Sequence, residues 1–303
     1  MSSRARGIAC MLLSAFSFTV MNVFVRMAED LPFMQKCFFR NVISLLFALA
    51  LLLWKRVPLK VERANRKHLF ARSLIGTAGV LCNFYAVDHM VLSDATMLNK
   101  MSPFFTVLFS GLLLKETITL PQISLFVTAF FGSILILKPS FSGLASPAAA
   151  VALLGGLCAG LAYSEVRLLG KRRVNSAVII FVFSAFSCVA TAPALVFHYA
   201  AMTWGQLGLL LLAGLAATAG QFGITYAYFY APASEVSVYD YSQILFSAVL
   251  GYLCFGQLAD GMSFLGYLII CSAAVAMAVY NNRMGRRSAV KQNEEAADEH
   301  QCF

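Results

Sequence analysis

The stretch LIGTAGVLCNFYA, Leu74–Ala86, returns later in the chain as LAATAGQFGITYA, Leu215–Ala227. Both copies hold Thr-Ala-Gly and then Tyr-Ala. The register shift is the same 141 residues at Thr77/Thr218 and at Tyr85/Tyr226. At that shift, without a gap, Leu12 meets Leu153, Val25 meets Val166, Arg26 meets Arg167, Ser93 meets Ser234, Phe105 meets Phe246 and Leu112 meets Leu253. Apolar matches alone arise by chance in so hydrophobic a chain. Thr-Ala-Gly with Tyr, Arg and Ser at one shift is harder to dismiss, so the chain is read as two copies of one unit.

The composition names the solvent of that unit. The 303 residues are 60% hydrophobic and 12% charged, against roughly 25% charged in a soluble domain. Too little polar surface is left to cover a globule in water. Barrel strands alternate apolar and polar over about 10 residues. Here apolar runs last about 20, the length of a helix crossing roughly 30 Å of hydrocarbon. Ten such runs fall at about 7–27, 33–54, 70–90, 93–114, 120–138, 147–168, 175–197, 205–230, 234–256 and 262–281. The first reads as a retained helix, with no small-residue cleavage site after it. The expected fold is an all-α membrane protein of ten transmembrane helices. It divides into residues 1–141, residues 147–283 and a disordered cytoplasmic tail at 284–303. Five crossings per unit is odd, so the second copy enters the membrane upside down, an inverted-topology repeat.

The net charge of +9 finds its place in the loops. With both ends inside, the inner loops hold Arg4, Arg6, the basic stretch Lys55–Lys67, Lys115, Arg167, Lys171–Arg173 and Arg283–Lys291. The outer ones hold Lys36 and Lys138. This is the positive-inside bias, and it removes the case for nucleic acid. The reading is a multi-pass protein of a plasma (inner) membrane with cytoplasmic termini. The eight cysteines lie scattered, mostly in apolar runs, without metal-ligand spacing. The four histidines sit at or beyond span ends. There is no HExxH, GxSxG or Walker pattern. No enzyme, cofactor or metal is expected.

Three stretches carry a family resemblance: FFRNVISLLFALALL in the second run, SDATMLNKMSPFFTVLFSGLLLKETIT across the fourth, and YAPASEVSVYDYSQILFSAVLGYLCFGQ across the eighth-to-ninth junction. Over nearly all of residues 7–283 the chain resembles paired EamA domains of the drug/metabolite transporter superfamily. In that family the fourth span is commonly an apolar, proline-containing helix ending in Gly/Lys-Glu, matched here by Pro103 and Lys115-Glu116. The second copy departs, with Ile244 opposite Pro103 and Gln257 opposite Glu116, which leaves a kink in the ninth span less secure. The resemblance implies secondary transport of a small organic metabolite; the inverted repeat suits alternating access, and the charges within the spans, positive outside and negative inside, suit an amino-acid-like or other zwitterion. The alternatives are a carrier of S-adenosylmethionine or a nucleotide-type metabolite and, from another class, a non-transporting receptor or scaffold. The partners expected are that substrate, the lipid bilayer, and protons or a counter-substrate; a homo-oligomer stays open.

Within the spans four charges stand out: Arg40, Lys100, Glu165 and Asp240. A charge at mid-bilayer costs about 2.5–3.5 kcal/mol on insertion scales. Arg40 and Lys100 lie roughly 10 Å below the outer boundary, and Asp240 and Glu165 in the inner third. This predicts a polar central cavity, basic toward the outside and acidic toward the inside. Lys100 faces a carboxylate or phosphate, or pairs with Asp94 when the site is empty. Asp240 faces an amine or exchanges a proton. Asn99 is the repeat partner of Asp240, and Tyr239 and Tyr241 flank Asp240. Tyr85 and Tyr226 are the repeat-related tyrosines. Together these form the candidate substrate-binding set, with Pro103 bending the fourth helix beside Lys100. A direct Lys100–Asp240 bridge is disfavoured, since inversion puts the two more than about 10 Å apart in depth. Each residue keeps a structural alternative: Lys100 fixing helix packing, Arg40 bonding Asp94 or loop carbonyls, Glu165 pairing with Arg167 at the interface, and the tyrosines packing.

Overall fold

The computed structural model describes residues 2–28, 31–89, 92–138, 146–197, 199–256 and 261–301, and the side chains of residues 84, 87–88, 92–94 and 285–301 lie outside that description. Every regular element in it is helical. In chain order these are α1 Ser3–Met27, α2 Phe33–Trp54, α3 Arg63–His89, α4 Leu92–Asn99, α5 Ser102–Leu114, α6 Leu120–Leu137, α7 Pro147–Lys171, α8 Ser176–Phe197 and α9 Trp204–Tyr230. Then follow α10 Ala233–Val236, a 3₁₀ segment Ser237–Tyr241, α11 Ser242–Phe255 and α12 Gly261–Gln301. Among the described residues, eight helical segments are long and apolar enough to cross a membrane. α3, whose first turns are basic, and α11, of 14 residues, are not among them. The protein is an all-α, multi-pass membrane protein. α12 runs on to Gln301 through the stretch read above as a disordered tail.

Local chemistry starts the helices where the runs begin. The Ala5 N–H donates to the Ser2 hydroxyl at 3.2 Å, and the Ala149 N–H donates to the Ser146 hydroxyl at 3.3 Å, with Pro147 in the first helical position. Before α9, Thr203 and Gln206 cap each other reciprocally. Such caps stabilise a helix start by about 1 kcal/mol each. The surface is the reverse of a soluble protein's. Leu112, Phe131, Val189, Leu253 and Leu268 face outward, while Ser14, Ser44, Thr77, Ser184 and Thr218 are buried. Hydrocarbon as solvent gives apolar side chains no reason to turn inward, and small or hydroxylated residues let helices approach.

Helix packing is reciprocal. α1 lies along α9 as α3 lies along α7; α2 meets α8, and α6 meets α12; α5 crosses α7 as α11 crosses α1. The closest approaches follow the same rule. A Cβ on Gly155 would stand 3.2 Å from the Cys82 Cβ, and one on Gly223 would stand 3.0 Å from the Ser14 Cβ. At the 141-residue shift this is one contact seen twice, with the glycine on alternate sides. The threonines of the two Thr-Ala-Gly stretches also do the same work. Thr77 pairs with Ser187 at 2.7 Å, and Thr218 pairs with Ser44 at 2.9 Å, each tying its helix to a neighbour.

The fourth apolar run is broken, not bent. α4 ends at Asn99, α5 begins at Ser102, and Pro103 sits in the first turn of α5, where its missing N–H is no loss. The ninth run breaks at the matching place although Ile244 replaces the proline. Its 3₁₀ segment ends at Tyr241, and the Ser242 hydroxyl donates to the Tyr239 carbonyl at 2.6 Å. There the 3₁₀ segment passes directly into α11, so the second copy changes helix type where the first is interrupted before its proline.

Candidate functional site

The two breaks meet. Lys100 is 7% exposed. Its Nζ donates to Asp240 Oδ2 at 2.8 Å and to Gln243 Oε1 at 2.6 Å, and reaches the Asp240 carbonyl at 3.5 Å. The Tyr241 hydroxyl donates to the Lys100 carbonyl at 3.0 Å, satisfying backbone that the break sets free. α7 supports the first break through its small face. A Cβ on Gly156 would stand 2.8 Å from the Leu98 carbonyl, and one on Gly160 would stand 2.5 Å from the Phe105 Cβ.

The Lys100–Asp240 bridge overturns the depth argument made from sequence. That argument compared Cα depths at the rise of a regular α-helix. A 3₁₀ segment climbs about 2.0 Å per residue against 1.5 Å, which carries Asp240 deeper, and the lysine's four-carbon stem covers much of the remainder. Taking two charges out of water costs several kcal/mol per ion, so such a pair adds little net stability, whereas removing one partner costs about 3–5 kcal/mol. The third bond, to Gln243, leaves the ammonium well satisfied inside the bundle.

The other predicted residues fall into different surroundings. Tyr241 is fully buried with its hydroxyl committed to Lys100, whereas the buried Tyr239 hydroxyl has no partner. Tyr85 is 40% exposed and stacks on His89. Tyr226 receives a bond from the Ser176 hydroxyl at 2.9 Å and lies among Phe222, Phe229 and Tyr230. Neither of these two is brought to the Lys100–Asp240 pair. Arg40 is half-buried on α2 and Asn99 closes α4. The side chain of Asp94, the partner suggested for Lys100 and Arg40, lies outside the described residues. Glu165 pairs with His68 at 2.9 Å and not with Arg167. Arg167 instead bonds Glu116 at 2.9 Å and the Tyr228 carbonyl at 2.8 Å.

One charged residue escaped the sequence reading. Arg72 on α3 is 2% exposed, its Nε has no hydrogen-bond partner, and no carboxylate pairs with it among the described residues. Its guanidinium lies 4.1 Å from the centroid of the Phe183 ring on α8. A cation–π contact offers about 0.5–2 kcal/mol, less than the several kcal/mol that a buried ion loses with its water. The cation is therefore not fully compensated. The signal in the sequence is Gly76, one turn further along, where any Cβ would collide with Arg72 Nη1.

Known proteins can now be set beside this geometry. Residues 5–138 match the model of the EamA-like transporter family. The pseudopaline exporter CntI of Pseudomonas aeruginosa is 32% identical over 89% of this chain and 95% of its own length. The chain belongs to the EamA-like transporter family. Other relatives of this EamA-like chain include a riboflavin transporter of Rhizobium johnstonii, 26% identical over 93% of this chain and 94% of its own. An uncharacterized transporter of Helicobacter pylori is 28% identical over 88% of this chain and 92% of its own. A crystal structure only 14% identical superposes over 92% of this chain and 99% of its own with a TM-score of 0.78, a likeness of fold. Membership makes the chain a transporter of small molecules.

Further ion pairs of this EamA-like protein collect at the end of the bundle that holds its N-terminus. Arg4 pairs with Glu235 and donates to the Asn281 carbonyl at 2.6 Å, joining α1, α10 and α12. Glu116 takes Arg167 at 2.9 Å and Lys171 at 3.0 Å, and receives the Ala233 N–H at 3.4 Å. That carboxylate holds α5, α7 and the start of α10 together.

Proposed function

We propose that the protein is a secondary active carrier that moves an amino-acid-like zwitterion by alternating access. In this reading ten crossings form two inverted five-helix repeats. Reciprocal packing of α1 on α9 and α3 on α7 supports it. So does the contact between Lys100 and its own repeat partner Tyr241, since only residues near a two-fold axis touch their partners.

The observation that carries the reading is the buried Lys100–Asp240 pair where two broken helices meet. When empty, the site neutralises itself. An arriving substrate exchanges partners with it, its carboxylate taking Lys100 and its ammonium taking Asp240. Self-neutralisation lets the empty carrier reorient without a bare charge in hydrocarbon. Protons or a counter-substrate supply the driving force. The positive-inside bias of the loops supports cytoplasmic termini, here read in a plasma membrane. The inner end is then the one held shut by Arg4–Glu235 and by Glu116 with Arg167 and Lys171. Those pairs part when the carrier opens inward. The name of the Pseudomonas relative supports export.

The test is flux across proteoliposomes that hold the purified protein, offered a mixed metabolite pool and read by mass spectrometry. Wild type is expected to move one zwitterionic class, and Lys100→Ala to lose it. Unchanged flux in Lys100→Ala would overturn the assignment of the site.

A further inference from the structure

We propose that Arg72, with Arg40 near it, forms a second anion-binding position, so that the transported molecule bears a carboxylate beyond the charges matched by Lys100 and Asp240. The inference rests on the carrier reading above.

Direction is the first observation. Arg72 lies on α3 shortly after the basic stretch that opens that helix. Helical side chains lean toward the N-terminus, and long cations near a membrane surface extend back to water. Both tendencies would send this guanidinium toward the N-terminal end of the bundle. It goes the other way and lies across Gly76, one turn further in, where any larger residue would displace it.

Vacancy of donors is the second. Arg72 is 2% exposed, its Nε is unpartnered, and Phe183 covers one face. Ser184, next to Phe183, is fully buried with a hydroxyl that also lacks a partner. Arg40 stands close enough for its charge to act on Arg72. The charges of Asp240, Arg72 and Arg40 all act on Tyr163 of α7. The Arg72 Nε and the Ser184 hydroxyl are both unbonded, and Asp240 is already committed to Lys100.

Dispensability to the fold is the third. At the 141-residue shift Arg72 corresponds to Ala213 and Arg40 to Phe181, and Ala213 is buried in the mirrored packing of α9. The second copy folds in the same way without either cation. A planar guanidinium with parallel donors matches the two oxygens of a carboxylate. Counting Arg40, Arg72 and Lys100 against Asp240, the site favours a molecule that is net anionic.

The experiment uses purified wild-type protein and the arginine reagent phenylglyoxal, with peptide mass spectrometry reading the Arg72 adduct. Succinate is the probe; succinamide, inorganic phosphate and sodium chloride at equal ionic strength are the controls. Succinate is expected to protect Arg72, and succinamide and chloride to leave it reactive. In parallel, succinate should raise the melting temperature of wild type. Arg72→Gln should weaken succinate binding roughly tenfold to a hundredfold, with Arg72→Lys falling between. Protection by phosphate and not by succinate would overturn the carboxylate. Absence of any Arg72 adduct, an adduct indifferent to succinate, or equal succinate binding by Arg72→Gln would overturn the site. Should Arg72→Gln not fold, the adduct on wild type decides. Neither readout needs flux. Zwitterion flux without succinate protection ends this inference and keeps the carrier, and protection with flux indifferent to Lys100→Ala keeps the anion position and overturns the Lys100–Asp240 site.

Discussion

Set the break between α4 and α5 beside the break between α10 and α11. They fall at the same register and meet through Lys100 and Asp240, yet they are made differently. The first uses Pro103 at the start of a new helix; the second uses a 3₁₀ segment tied by Ser242. Their side chains differ more. Asn99 and Lys100 in one copy stand against Asp240 and Tyr241 in the other, and it is the unlike members, Lys100 and Asp240, that bond. The same holds around them, with Arg40 against Phe181 and Arg72 against Ala213. In the carrier reading proposed above, geometry is repeated because both halves must pack alike and exchange roles. Chemistry is not repeated, because a site with two-fold symmetric charges would face itself with like charges.

The largest effect should come from erasing that difference. Lys100→Tyr with Asp240→Asn gives both breaks the same pair of residues. Lys100→Ala alone should cost about 3–5 kcal/mol by leaving Asp240 buried and unpaired. The double variant should recover most of this in a thermal melt while flux stays absent. Flux restored in the double variant would show that the asymmetry does not carry transport.

A smaller contrast lies in the packing. Gly160→Ala must displace backbone, since its Cβ would stand 2.5 Å from the Phe105 Cβ and 2.9 Å from the Phe105 carbonyl carbon. Gly220→Ala meets the Phe18 ring at 2.9 Å, which can turn. Melting temperatures should show losses of about 2 and about 1 kcal/mol respectively. Equal losses would mean that α5 yields as easily as a ring.

The smallest concerns the residues that end the two broken helices. Lys115 after α5 has φ 54°, and its repeat counterpart Gly256 after α11 has φ 64°. Both are left-handed, which costs a residue with a Cβ about 1–2 kcal/mol. Lys115→Gly should therefore raise stability by about 1 kcal/mol. A loss would show that the lysine side chain holds something in place.

Much of the scaffold was legible. Apolar runs of about 20 residues permit little but helices in a bilayer, and the two Thr-Ala-Gly stretches lie on helices that each tie to a neighbour through their threonine. Lys100, Asp240 and Arg40 stood out because charge is costly among apolar neighbours. Arg72 did not, since a cation just past a basic loop reads as one that reaches back to water; only its relation to Gly76 contradicts that. Tyr85 and Tyr226 were matched by repeat register, but they end in unlike surroundings, one exposed beside His89 and one hydrogen-bonded to Ser176. Register fixes where a backbone goes and leaves open which neighbours a side chain meets.

By itself, the sequence determined the solvent and the helical class, because these follow from hydropathy along the chain. Only the tertiary structure decided that Lys100 and Asp240 meet, that Arg72 points inward and that Glu116 gathers Arg167 and Lys171. Those outcomes depend on side-chain reach and on the rise of a few 3₁₀ residues, distances of a few ångströms between segments 140 residues apart, to which hydropathy along the chain is blind.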